Sequence, residues 1–258
     1  MRSLTFLFRV SIAFLAFNAI GYCLPLDNAQ QDMAAMKSMT LAQLEKAGDD
    51  CRAHKDYQQA VKYFSVALEQ DKKNGKIYNK RGLAELSAGD YASARSDFAK
   101  TTKYDRKYAD GWNNLGAIYY VEKNYRVAAK YFQKAISLDE NRAPFHVNLG
   151  VTWFTLDDLD RAMQEYTRAA ELDPDALMRS SNFGVTAQLT TQQERAEHQY
   201  MIAKVFAKLG NVDDCLVCLK KAKEEGYGGL NNVYKEEEFT RVRQDARLAE
   251  IVPPPAAK

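Results

Sequence analysis

The sequence predicts an all-α fold: an α-solenoid of antiparallel helix pairs, closed at its C-terminal end by a helical cap. Three observations predict it. The 258-residue chain repeats itself at a period of 34 over residues 41–74, 75–108, 109–142 and 143–176, and a fixed period of this length is the signature of stacked supersecondary units. Stretches such as GWNNLGAIYY (111–120) and FHVNLGVTWF (145–154) place apolar residues at i, i+3, i+4 and i+7, the spacing of one helix face. Both also carry a glycine in mid-helix, at the same phase of the repeat.

A glycine there costs roughly 1 kcal/mol against alanine. It nevertheless fills repeat position 8 four times, as Gly48, Gly82, Gly116 and Gly150. Position 20 is always alanine (Ala60, Ala94, Ala128, Ala162) and position 24 always aromatic (Phe64, Phe98, Phe132, Tyr166). Position 27 reads Ala67, Thr101, Ala135 and Ala169, and position 17, at the turn between the two helices, reads Tyr57, Tyr91, Tyr125 and Leu159. Packing explains the set: Gly82, Gly116 and Gly150, with Ala94, Ala128 and Ala162, remove bulk where the two helices of a pair cross. Large residues at positions 4, 7, 11 and 24 fill the space around that crossing.

This pattern resembles the tetratricopeptide repeat, with an aromatic at position 4, Leu-Gly at 7 and 8, Tyr at 11, Ala at 20, Phe at 24, Ala at 27 and Pro at 32. The third repeat matches with Trp112, Leu115, Gly116, Tyr119, Ala128, Phe132 and Ala135, and departs at Glu140; the fourth supplies the proline as Pro174. The first is weakest, with Leu44, Ala47 and Cys51 at positions 4, 7 and 11. The resemblance implies a right-handed superhelix whose first helices line a concave groove, and a non-enzymatic scaffold binding a segment of another protein.

Past residue 176 the register blurs into overlapping units over 177–229, read as helices near 177–188, 192–209 and 213–225. Thr190 or Thr191 is the expected cap of the middle helix, and Gly210-Asn211 its end. The array thus runs over 41–225. Residues 226–252 resemble a closing element found after tetratricopeptide arrays in bacterial proteins: Phe239, Arg243 and Asp245 match, while Ala246 and Leu248 replace its Pro and Phe. Segments 24–40 and 253–258 are expected to be mobile.

Residues 1–23, MRSLTFLFRVSIAFLAFNAIGYC, read as a secretory signal: two arginines, no acids, an apolar run from Val10 to Ile20, then small residues. Cleavage after Gly21 or after Cys23 both fit. The expected location is the periplasm of a bacterial envelope, with no stable membrane insertion of the mature chain. A lipid-anchored or membrane-anchored form is the alternative, disfavoured because Tyr22 sits where a lipobox wants a small residue.

Of 36 basic residues two fall in that signal, so the remainder balances the 34 acidic ones, and no nucleic-acid footprint results. Cys51, Cys215 and Cys218 are too sparse for a disulfide scaffold. His54, His146 and His198 share no ligand spacing, no phosphate loop or hydrolase motif occurs, and no cofactor is expected. Cys215-Leu216-Val217-Cys218 begins a helix, where the dipole lowers a thiol pKa. A thiol-redox protein is therefore one rival reading; a self-assembling structural protein is another.

Position 6 carries Lys80, Asn114, Asn148 and Asn182 in successive repeats, and the resemblance places it on the inner helices. An asparagine amide both donates and accepts, so such a ladder can hold the backbone of an extended peptide. About six bonds at ~0.5–1.5 kcal/mol each give roughly 3–9 kcal/mol before association costs. Neighbouring groove positions, Tyr78, Asn113, Tyr120 and Phe154 among them, would add selectivity. The bland alternative is that these asparagines bond within the array. A Lys-Asn carboxylate clamp is rejected, because Glu45 and Asp49 stand where it needs Lys and Asn.

Overall fold

The computed structural model of the chain describes residues 29–180, 189 and 191–255. The signal segment, Asn182, Thr190 and residues 256–258 lie outside them. A helix α1 (Ala29–Lys37) precedes four helix pairs: α2 (Leu41–Ala53) with α3 (Tyr57–Gln70), α4 (Gly75–Ser87) with α5 (Tyr91–Tyr104), α6 (Ala109–Val121) with α7 (Tyr125–Leu138), and α8 (Ala143–Thr155) with α9 (Leu159–Leu172). A short α10 (Ala176–Ser180) follows, then α11 (Gln192–Leu209) and α12 (Val212–Glu224). Three 3-10 turns at 230–234, 237–240 and 242–244 lead to α13 (Arg247–Ile251).

Of the segment 24–40, residues 24–28 lie outside the described residues. Residues 29–37 are helical, and Met36 packs with the core of the first repeat. Gln70 Nε2 also donates to the Met39 carbonyl at 2.9 Å.

The helix boundaries follow a rule that repeats with the sequence. Position 16 caps the second helix: Asp56, Asp90 and Asp158 accept from the N–H three residues on, at 3.1, 3.0 and 3.2 Å, which satisfies an orphan donor of the first turn. Position 15, just before, is left-handed in every pair, with Lys55, Gly89, Lys123 and Asp157 at φ 63°, 84°, 61° and 60°. Only one of the four is glycine. Thr191 closes a capping box with Glu194 to start α11, and Gly210 at φ 77° ends it.

Inside each pair the mid-helix glycine meets the aromatic ring at position 24. A Cβ on Gly48 would lie 2.5 Å from Phe64, on Gly82 2.7 Å from Phe98, on Gly116 2.8 Å from Phe132, and on Gly150 2.6 Å from Tyr166. No side chain fits there. The alanines at position 20 are fully buried beside these rings, and each buried aromatic contributes roughly 1.5–3 kcal/mol of apolar transfer.

Pairs stack in sequence order, α3 on α4, α5 on α6 and α7 on α8. First helices of neighbouring repeats also meet, α2 with α4 and α6 with α8, more closely than second helices do. The row therefore curls with its first helices inside. At the far end Phe239, Val242 and Leu248 are buried in one cluster with α11 and α12.

Candidate functional site

The inner wall is built from positions 5, 6 and 9 of successive first helices. Lys80 Nζ lies 2.6 Å from Glu45 and 2.5 Å from Asp49 of the preceding repeat. Burial opposes its charge, yet bonds to Asp49 and Glu45 hold its pKa above the ordinary lysine value. The two carboxylates that rule out a carboxylate clamp are thus its partners. One repeat on, Asn114 Nδ2 donates to Asn79 Oδ1 at 2.9 Å, and again one repeat on Asn148 Nδ2 donates to Asn113 Oδ1 at 2.9 Å. Asn113 in turn donates to Asn114 Oδ1 at 3.4 Å.

One rule covers all three links: position 6 reaches back to position 5 of the repeat before, 35 residues away. The ladder is a seam between repeats. Each of Asn114, Asn148 and Asn113 still has an N–H beyond the one it uses within the seam, and all three are partly exposed. Their capacity for a peptide falls to about three bonds, roughly 1.5–4.5 kcal/mol at ~0.5–1.5 each. Asn182, the fourth candidate, lies outside the described residues.

Two of the flanking candidates are corrected by their packing. Tyr120 is only 3 % exposed, because its ring packs on Tyr125 and its hydroxyl meets Thr155 Oγ1 at 2.7 Å; it belongs to the core. Tyr78 stacks on Tyr104 of the second helix in its own repeat, at 5.7 Å between ring centres, with Lys100 over its ring. It is drawn away from the inner wall. Phe154 is half-exposed, edge-on to His198 at 5.4 Å, and lines a cavity at the C-terminal end of the array.

Repeat two departs from its neighbours in a way the periodic pattern hides. Positions 7, 11 and 23, which are Leu115, Tyr119 and Tyr131 in repeat three, are Arg81, Glu85 and Asp97. Arg81 grips Asp97 with Nε at 2.6 Å and Nη2 at 2.9 Å, and reaches Ser65 Oγ with Nη1 at 3.0 Å. Burial, and then the Asp97 carboxylate, push Glu85 up to about 7 against the pull of Arg81. A search of each repeat for charges at core positions finds this cluster from sequence alone.

The histidines are structural. His146 Nδ1 meets Glu165 Oε2 at 2.6 Å and its Nε2 meets the Glu140 carbonyl at 3.0 Å. His198 bonds the Tyr166 hydroxyl at 2.9 Å in a wholly buried site, and burial lowers it to about 4. Cys215 and Cys218 are free and buried. Burial pushes both thiols up to about 12, the reverse of the depression that redox chemistry needs. Among the described residues no helix is long and apolar enough to cross a membrane.

Stacked helix pairs with a curved inner wall define an α-solenoid of the kind that serves as a scaffold for protein–protein interaction. The tetratricopeptide repeat family model matches residues 79–143 and again 124–176, and this stretch of the chain belongs to that family. No curated protein matches the chain. Solved structures share its fold. YrrB, described as a tetratricopeptide protein with an unusual peptide-binding site, is 18% identical over 81% of this chain and 97% of its own, with a TM-score of 0.51. TTC0263 from Thermus thermophilus is 17% identical over 83% and 99%, at 0.50. A MamA fragment from Desulfovibrio magneticus is 15% identical over 72% and 94%, at 0.52. At these identities the likeness is one of fold.

Proposed function

We propose that the chain is a non-enzymatic adaptor of a bacterial envelope, exported by its N-terminal signal, that takes up a peptide segment of a partner protein on its inner wall. One observation carries this reading: on successive first helices the amides of Asn113, Asn114 and Asn148, linked by the seam, stay partly exposed, as do the apolar side chains Leu83 and Ala117. The seam holds those amides in fixed orientation, so a ligand backbone meets donors already ordered, and less side-chain entropy is lost on binding. About three such bonds are too few for tight binding, so apolar contact at Leu83 and Ala117 supplies the rest.

The test is photo-crosslinking in the source cell from two faces. A photoreactive residue at Leu83 or Ala117 reports on the inner wall, and one at Lys130 or Gln133, exposed on α7, on the outer. A partner adduct from the inner positions alone supports the reading; equal adducts from both faces overturn it. Finding the chain in the cytoplasm with its N-terminal Met retained would remove the envelope assignment.

A further inference from the structure

A cavity of about 520 Å³ lies where the α8–α9 turn, one face of α11 and the C-terminal turns converge, a size ordinary for ligand pockets. Glu194, Glu197, Tyr200 and Lys204 of α11 face it, a spacing that puts them on one helix side. Its aromatic wall is Tyr200 stacked on Tyr227, 4.4 Å between ring centres and 29° apart, together with Phe154.

Among the described residues, four carboxylates line the cavity, Asp157, Glu194, Glu197 and Glu236, against one ammonium. That ammonium, Lys204, is taken up by Glu236 and Glu238, at 3.3 Å from each, and Glu236 also accepts from the Tyr200 hydroxyl at 2.9 Å. Glu197 accepts from Gln193 Nε2 at 2.8 Å, and neither Glu197 nor Asp157 forms an ion pair among the described residues. The site is thus an aromatic slot with an excess of negative charge at its mouth. An anion is repelled from it, and a purely apolar group would bury those carboxylates without compensation.

We propose that this cavity binds an arginine side chain of the partner peptide. A guanidinium suits both halves of the lining: its flat face stacks on the partly exposed rings of Phe154 and Tyr227, the latter backed by Tyr200, and its edge presents several N–H donors to Glu197 and Asp157. A lysine ammonium satisfies the charge but stacks less well. The inference rests on the reading of the chain as a peptide-binding adaptor and gives that reading a chemical preference.

The test is fluorescence anisotropy with labelled Gly-Ser-Gly-Arg-Gly-Ser-Gly, beside counterparts holding citrulline, lysine or glutamate in place of the arginine. The expected order is arginine, then lysine, with citrulline weaker than arginine by about tenfold or more and glutamate without binding. The double variant Asp157→Asn, Glu197→Gln, in which Asn tolerates the left-handed backbone at position 157, should weaken the arginine peptide by a similar factor at an unchanged melting temperature. Citrulline binding as well as arginine overturns the inference on the wild-type protein alone, whatever the variant does. That outcome leaves inner-wall crosslinks unaffected, whereas arginine selectivity without such crosslinks would keep the pocket and remove the groove reading.

Discussion

Arg81 and Asp97 face each other across the two helices of the second repeat in a two-pronged ion pair, with Asp97 only 2 % exposed. Removing one partner strands the other. Asp97→Ala should cost about 3–5 kcal/mol, while replacing Arg81, Glu85 and Asp97 together by the Leu, Tyr and Tyr of repeat three should be close to neutral. Urea unfolding of both variants beside the wild type checks this.

Glu85 gives the same cluster a pH dependence. Its folded pKa, about 7, lies above the ordinary carboxylate value, so its contribution to stability is fully present below about pH 4.3 and is lost as pH rises through 7. Glu85→Gln should therefore be more stable than wild type at pH 8, with the advantage shrinking toward pH 5. Denaturation midpoints at the two pH values read the difference.

The two buried histidines should behave in opposite ways. Burial opposes the charge of His146, but its bonds to Glu165 and the Glu140 carbonyl outweigh that and raise its pKa; its stabilisation is complete below about pH 6.5 and lost as pH climbs through the folded value. For His198 the depressed pKa means stabilisation above about pH 6.5 that is lost as pH falls toward 4. In an NMR titration of ring protons, His146 should titrate above 6.5 and His198 should stay neutral down to about pH 5.

Packing of the mid-helix glycine predicts a loss where helix propensity alone predicts a gain. Gly116→Ala places a methyl 2.8 Å from Phe132, an overpacking cost of about 1–3 kcal/mol against a propensity gain of ~1. Pairing it with Phe132→Leu should recover part of the loss. Thermal melts of the single and double variants test this.

The seam predicts a stability effect for asparagines that face the groove. Asn114→Ala leaves the Oδ1 of Asn79, a residue 2 % exposed, without its donor, for a loss of about 1–3 kcal/mol. A melting curve unchanged from wild type would show that the seam contributes nothing to stability.

The array and its phase could be read from the chain, since each depends on residues within one 34-residue unit, whereas position 17, expected at the turn, is the first residue of each second helix. Helix α11 fell at its expected bounds because Thr191 and Gly210 are local signals. The left-handed residue at position 15 carries no mark in the sequence, as three of its four occupants are not glycine. For the candidate site, sequence placed the asparagines at a constant step but could not say whom they bond, and it took Tyr78 and Tyr120 for groove residues.

Periodicity and composition therefore suffice to specify which helices form and how each pair nests, because glycine against aromatic is a contact between neighbours that every repeat renews. The partners of position 6, the burial of Tyr120 and the acidic aromatic cavity depend instead on how one repeat is rotated onto the next and on where the closing turns fold back. Those are relations between residues 35 or more apart, set by the packing of whole helices rather than by any local preference.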